Sequence, residues 1–284
     1  MLKIALPNKG RLADDVRELF ADAGLEIRVR NERALTAAIG DEFQALFVRA
    51  QDIPEFVADG AAHAGITGWD LVKESGRELE DLLDLEFGKC RLVVAGREEG
   101  IGNLKDLTPG ARVASCFPNL TRAFFSERDI RVEVVPVSGA AEVAPHLGIA
   151  DLIVDLTSTG STLKTNGLRE LATLLESTAR LVARPDRAGE ERRKLDELTM
   201  ALASVLRGRG KRYVMANAPR AALEKVREVL PGLTGPTVTE VLDGGRFVAV
   251  HAVVSASSVY RTIAALKAIG CEGILVTRIE RLVP

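Results

Sequence analysis

From residue 2 to residue 206 the chain alternates short apolar runs with amphipathic stretches, and the changes of period fall at polar or glycine-containing loops. Residues 2–6 read as a buried strand. Residues 11–23 read as a helix, because Leu12, Val16, Leu19, Phe20 and Ala23 share one face ahead of Gly24. Strands at 44–48, 63–67 and 87–95 and a helix at 52–58 continue the alternation. Such a pattern builds a parallel sheet with helical crossovers, in which ligands collect beyond the carboxyl ends of the strands. After Asn103 the pattern restarts, with strands at 111–114, 131–136 and 151–156 and helices at 120–127 and 140–147. A second α/β unit is expected there. Segments 57–67 and 147–155 both run from a helix end through a glycine turn into a strand and a polar loop, a weak echo that points to two similar lobes. A strand over 173–184 follows, then a helix over 190–206 with Leu195, Leu198, Leu202 and Val205 on one face, expected to return to the first lobe.

The remainder has a different grammar. Arg207-Gly208-Arg209-Gly210-Lys211 reads as a linker. Beyond it, strand 213–216, helix 220–230, strands 237–242 and 247–254, helix 259–269 and strand 273–279 spell β-α-β-β-α-β, the ferredoxin-like order. The expected organisation is a first lobe over 1–95 with 178–206 returning to it, a second lobe over 96–177, and a small separate domain over 207–284.

Composition narrows the function classes. With 284 residues the chain can bury more than one core, and its 46% hydrophobic and 27% charged residues are those of an ordinary globular protein. A net charge of −2 argues against nucleic acid as a partner, so any phosphate must be met by local donors. The N-terminus turns polar by Asn8, which leaves no room for the apolar stretch of a signal peptide, and no run approaches the ~20 apolar residues of a membrane span. Cys90, Cys116 and Cys271 form no Cys-x-x-Cys pair, so neither a disulfide framework nor a zinc site is implied. The expected compartment is the cytoplasm, with no membrane partner.

The strongest chemical signal is Leu152-Ile153-Val154-Asp155-Leu156-Thr157-Ser158-Thr159-Gly160-Ser161-Thr162-Leu163, an apolar strand that stops in hydroxyl residues around one glycine. Gly160 permits close approach of the backbone to a ligand. Thr157, Ser158, Thr159, Ser161 and Thr162 add hydroxyls to the free amides of the next helix start. Such a loop can cradle a monoester phosphate without a formal charge. Asp155, at the strand end, is placed to accept from the vicinal hydroxyls of a ribose whose phosphate sits in the cradle. The plainer alternative is a turn with an N-cap.

Around this loop the sequence resembles the long form of ATP phosphoribosyltransferase. Glu142, Gly148, Ala150, Asp155, Thr159, Gly160, Thr162 and Leu163 stand at the family's spacings, supported by Pro7-Asn8-Lys9-Gly10-Arg11-Leu12, by Gly65-Ile66-Thr67-Gly68-Trp69-Asp70-Leu71 and by the β-α-β-β-α-β tail. Asp155 is followed by Leu156, where phosphoribosyltransferases of the commonest class carry paired acids. The resemblance implies a two-lobed catalytic part with the fold of periplasmic solute-binding proteins and a ferredoxin-like regulatory domain. It further implies transfer of a phosphoribosyl group from 5-phosphoribosyl 1-diphosphate to ATP with Mg²⁺, the first step of histidine biosynthesis. L-histidine as allosteric inhibitor, and a homodimer that assembles into a homohexamer, belong to the same implication.

Other candidates divide between two readings. Lys9 and Arg11, beside a glycine at the mouth of the first strand, and Arg49, after the second, can meet phosphates or be solvated charges. Asp70 can accept from a nucleotide or begin a helix. Glu142 is drawn toward the sugar by the family pattern. Asn217, Ala218, Thr237 and Gly273 are candidates for the histidine site by the same resemblance. His63, His146 and His251 share no metal-ligand spacing and read as structural, no protein ligand of a metal is identified, and Cys116 lacks a partner base in view. Two rival readings are a solute-binding protein and a regulatory subunit without catalysis.

Overall fold

A computed structural model describes residues 1–29, 31, 34–242 and 244–283. The first lobe holds β1 (Leu2–Pro7), α1 (Arg11–Asp22), β2 (Ile27–Arg28), β3 (Thr36–Ile39), β4 (Phe43–Val48), α2 (Ile53–Ala58), β5 (Ala64–Gly68), α3 (Trp69–Ser75) and β6 (Glu80–Asp84). The second lobe holds β7 (Cys90–Arg97), β8 (Ala111–Ser115), α4 (Pro118–Ser126), β9 (Val132–Pro136), β10 (Leu152–Thr157), α5 (Ser161–Thr165) and β11 (Leu168–Ser177). The chain then returns through β12 (Ala179–Ala183), which joins the first sheet, and α6 (Gly189–Gly208).

The two sheets are wound alike. One contains the order β4-β1-β5-β12-β6 and the other β9-β8-β10-β7-β11. In each, three parallel strands are followed by two antiparallel neighbours. This is the two-lobed α/β arrangement expected. It matches β5 with β10, the two strands in which the sequence echo falls. In the second lobe Val93, Ala95 and Ala114 lie with Ala141, Ala144 and Leu163 on one face, and Leu92, Val94 and Val113 with Phe124 and Phe125 on the other. Both faces are covered, which is why these strands read as near-continuous apolar runs. Each buried Phe, Leu or Val contributes about 1.5–3 kcal/mol of burial.

Several expectations need correction. The single strand over 173–184 is two strands in different sheets, parted at Thr178, because an apolar pattern does not mark a change of sheet. The strand expected over 87–95 is β7 and belongs to the second sheet, where it runs antiparallel to β10. Over 140–147 no α-helix forms: a short 3-10 turn at Ala141–Val143 gives way to further turns. Ala140 is left-handed at φ 51°, and Pro145 has no N–H to continue a helix. The short strands β2, β3 and β6, of which β2 and β6 form the edges of the first sheet, carry no clear sequence pattern.

Two crossings join the lobes, and they are hydrogen-bonded to each other: the Leu85 N–H donates to Ala179 O (3.0 Å) and the Ala179 N–H to Phe87 O (2.9 Å). The returning helix α6 meets the first lobe through Lys194, 3.1 Å from the Glu42 carboxylate, and buries Leu195 and Leu198.

By contacts the chain divides into two units, the first Met1–Thr199 and the second beginning at Met200. The second unit contains β13 (Lys211–Pro219), α7 (Leu223–Val229), β14 (Thr237–Glu240), β15 (Phe247–Ser255), α8 (Val259–Ile269) and β16 (Glu272–Arg278), with sheet order β14-β15-β13-β16. All pairings are antiparallel, as the ferredoxin-like order requires. Val214, Ala216, Ala218, Val248, Val250 and Ala252 pack with Val226 and Leu266 of the helices. The alternating residues face the open side. The expected linker is not one: α6 runs to Gly208, and β13 begins at Lys211. A Cβ at Gly208 would lie 3.0 Å from Ile279 O, so close packing of the chain's C-terminal end accounts for this glycine.

Candidate active site

The site is built from the carboxyl ends of parallel strands. In β10 Leu152, Ile153 and Val154 are fully buried, and Asp155 stands half-buried where the strand emerges. One of its oxygens accepts the Leu156 N–H at 2.7 Å. The chain then turns on hydroxyls. Thr157 Oγ1, itself buried, accepts the Gly160 N–H at 2.8 Å, and Thr159 Oγ1 lies 2.9 Å from Ser161 Oγ. Gly160 adopts φ 77°, a left-handed conformation that ordinary residues resist. Ser158, Thr159, Ser161 and Thr162 are exposed, and no side chain caps the start of α5. The loop therefore offers hydroxyls and helix-start amides together.

Asp155 does not stand alone. Burial pushes its carboxyl above the usual carboxylate range; the Leu156 amide opposes this, and the nearby Glu142 carboxylate adds to it. Cys116, at the end of the adjoining β8, has its thiol pushed up by burial and then by Asp155 and Glu142. A thiol so placed stays protonated, which removes it as a nucleophile. Ser115 binds the two strand ends together, donating to Val154 O and accepting the Phe117 N–H, both at 2.9 Å. Asp155, Glu142 and Cys116 thus share one corner of the second lobe.

Arg91 and Glu170 form a further pair beside the loop. Two guanidinium nitrogens of Arg91 donate to the Glu170 oxygens at 2.7 and 2.9 Å. Arg91 lies opposite Thr157 in the β7–β10 ladder. A Cβ at Gly160 would come within 3.1 Å of Glu170, so a carboxylate neutralised by Arg91 backs the hydroxyl loop. Only strand pairing brings these residues together, and the sequence carries no local sign of it. Arg91 and Ser158 also line a cavity of about 520 Å³ that reaches the crossings at Lys89, Ser177 and Arg180.

The first lobe presents a similar edge. Pro7 and Val48 are paired in parallel strands, and the Asn8 N–H donates to Val48 O at 2.9 Å. This sets the loop with Lys9 and Arg11 beside Arg49. All three cations are exposed. Asp70 departs from the expectation of an open acceptor: it is only 4% exposed, and its carboxylate accepts from Ser177 Oγ at 2.5 Å. Its own N–H donates to the same hydroxyl at 3.0 Å. Desolvation raises its pKa against the hydrogen bond from Ser177. A Cβ at Gly68 would collide with this carboxylate, which explains the glycine. The two lobes touch where α3, which follows β5, packs on α4, which follows β8.

The histidines all have partners in keeping with structural roles. His63 Nδ1 accepts the Lys3 N–H, His146 Nε2 lies 2.7 Å from Asn166 O, and His251 Nδ1 lies 2.7 Å from the Tyr213 hydroxyl. In the second unit, Asn217 and Gly273 are neighbours, a Cβ on the glycine falling 3.4 Å from Asn217 Nδ2. Thr237 is exposed opposite His251. Ala218 corrects the expectation of a side chain facing a ligand: it is fully buried in the core, because strand alternation turns it away from Asn217.

Residues 49–204 match the ATP phosphoribosyltransferase family, and residues 208–281 match the family described as HisG, C-terminal domain. The chain belongs to the ATP phosphoribosyltransferase family. An ATP phosphoribosyltransferase of Gemmatimonas aurantiaca is 66% identical, with both chains covered in full. One from Methanocella arvoryzae is 46% identical, again over both full lengths. Among solved structures, the ATP phosphoribosyl transferase (HisG:HisZ) complex from Thermotoga maritima has 29% identity and a TM-score of 0.65, covering 73% of this chain and 99% of that one. The ATP phosphoribosyltransferase match over 49–204 takes in Arg49, Asp70, Glu142 and the whole hydroxyl loop.

Proposed function

We propose that the chain transfers the phosphoribosyl group of 5-phosphoribosyl 1-diphosphate to N1 of ATP, releasing diphosphate in the first step of L-histidine biosynthesis. The observation that carries the reading is the loop itself: a half-buried carboxylate at a strand end, followed by exposed hydroxyls and amides around the left-handed Gly160.

In this assignment the ribose 5-phosphate lies in the cradle of Thr157, Ser158, Thr159, Gly160, Ser161 and Thr162, and Asp155 accepts from the ribose hydroxyls. Glu142 faces the sugar from beside Asp155. Lys9, Arg11 and Arg49 meet the phosphates of ATP and the diphosphate. Asp70, turned inward to Ser177, holds the wall between the lobes. The adenine N1 lone pair forms the new bond to C1 as the C1–O bond to diphosphate breaks and its electron pair leaves with diphosphate. No side-chain base is needed to free a lone pair that is already available. What the protein supplies is position and charge: two polyanions held in line, with orientation worth several kcal/mol.

Mg²⁺ binds with one or two carboxylates, water and substrate phosphates rather than in an all-protein cage. Among the described residues no group of three potential ligands gathers. Asp155 and Glu142 fit the smaller requirement and would hold such an ion, which would supply charge neutralisation for the leaving diphosphate. Asn217, Thr237 and the backbone at Ala218 and Gly273 are assigned to an inhibitory L-histidine site, in a homodimer that builds a homohexamer. No helix among the described residues is long and apolar enough to cross a membrane, and a cytoplasmic biosynthetic role fits this reading.

Incubating the protein with ATP, 5-phosphoribosyl 1-diphosphate and Mg²⁺ tests the proposal. Diphosphate and a new ultraviolet absorbance are expected to appear in step, and to be suppressed by histidine. Diphosphate release that proceeds equally without ATP would contradict transfer to the nucleotide.

A further inference from the structure

Helix α4 begins without a cap of its own. Its N-cap residue is Phe117, which has no side-chain acceptor, and Pro118 supplies no N–H at the first position. The acceptor arrives from the other lobe. Glu74, on α3, places one carboxylate oxygen 2.9 Å from the Asn119 N and the other 2.9 Å from the Leu120 N, and Glu74 O accepts from Asn119 Nδ2 at 2.9 Å. A carboxylate at a helix start satisfies two orphan donors and complements the positive end of the helix dipole.

The opposite end of α3 is tied as well. Asp70 is bonded through Ser177 Oγ to the crossing, and the Trp69 N–H donates to Thr178 O at 2.9 Å. This seven-residue helix therefore touches the second lobe through Glu74 near one end and the crossing at the other. The strand end and loop that lead into α4 carry Ser115, bonded to Val154 next to Asp155, and Cys116 at the Asp155–Glu142 corner. A shift of α4 is thereby a shift of the site's own wall.

We infer that α3 is a brace that fixes the spacing of the two lobes, and that Glu74 is a positioning residue for phosphoribosyl transfer. This rests on the transferase reading above. The phosphate cradle lies wholly in the second lobe, whereas Lys9, Arg11 and Arg49 lie in the first. Loosening the brace leaves the phosphoribosyl donor its cradle but misaligns the two substrates, and misplacement by about 1 Å costs up to roughly a hundredfold in rate.

The test uses the full chain with Glu74→Ala and Glu74→Gln, comparing kcat with the dissociation constant of 5-phosphoribosyl 1-diphosphate measured directly. Glutamine retains the shape but keeps only one acceptor, and its amide meets the second N–H donor to donor. The account expects kcat to fall about tenfold or more in both variants, with donor affinity within about twofold of wild type. The chain's single tryptophan, Trp69, with the Lys73 ammonium 4.4 Å and the Arg180 guanidinium 5.5 Å from its ring centroid, reports the change, its emission shifting in the variants. Unchanged kcat in folded Glu74→Gln would overturn the inference. So would a loss of donor affinity equal to the loss of rate, since that is what general damage to the second lobe produces. Should Glu74→Ala fail to fold, Glu74→Gln decides alone. A wild type that binds the donor but does no transfer refutes the transferase reading instead.

Discussion

Asp155 is the residue on which the proposed chemistry and its energetic cost both fall. Its carboxyl is held above the usual range by burial and by Glu142, so the folded protein keeps that proton to higher pH than the unfolded chain does. Ionisation in the fold is therefore opposed, and stability drawn from the protonated form is lost as pH rises past the unfolded value. Asp155→Asn is expected to raise the melting temperature at neutral pH while lowering kcat/KM by about a thousandfold, comparable to the removal of one electrostatic contact in a catalytic site. Unfolding scans and diphosphate release measure the two effects. The acid limb of kcat/KM should lie above the ordinary aspartate range and move to lower pH in Glu142→Gln, because a like charge has been removed. At Gly160, alanine meets both a left-handed backbone and Glu170, so Gly160→Ala is expected to cost about 1 kcal/mol of stability or more and to weaken donor binding, as read by denaturant titration and calorimetry.

Elements were legible where periodicity is strong and local. The helix over 259–269 and the strand and hydroxyl loop around Asp155 could be read directly, since one face of a helix or an apolar run broken by polar residues is written in neighbouring positions. Where the decisive contact is distant, the pattern was silent. Nothing near Thr178 announces that the chain changes sheets there, and nothing near Arg91 names Glu170 as its partner. The paired glycines at 208 and 210 looked like a flexible joint because absence of a side chain has two meanings, freedom or closeness. Gly208 has the second. Gly208→Val should press a side chain against Ile279 O and destabilise the second unit by roughly 1–3 kcal/mol, seen as an earlier transition in thermal unfolding.

At the scale of the whole molecule, the chain consists of two similarly wound lobes and a ferredoxin-like unit. The hydroxyl loop proposed to hold phosphate sits at the carboxyl edge of one sheet, the exposed cations Lys9, Arg11 and Arg49 at the carboxyl edge of the other, and the open face of a separate sheet carries Asn217 and Thr237. If that face binds histidine, Asn217→Ala should weaken inhibition about tenfold while leaving uninhibited kcat unchanged, the loss expected for one hydrogen bond to a charged ligand. The central claim is that residues 155–162 hold the phosphoribosyl donor. Calorimetric titration of the Thr162→Val protein with 5-phosphoribosyl 1-diphosphate, and separately with ATP, tests it most directly. The account predicts donor affinity at least about tenfold weaker with ATP affinity unchanged. Donor affinity equal to that of the wild type would contradict it.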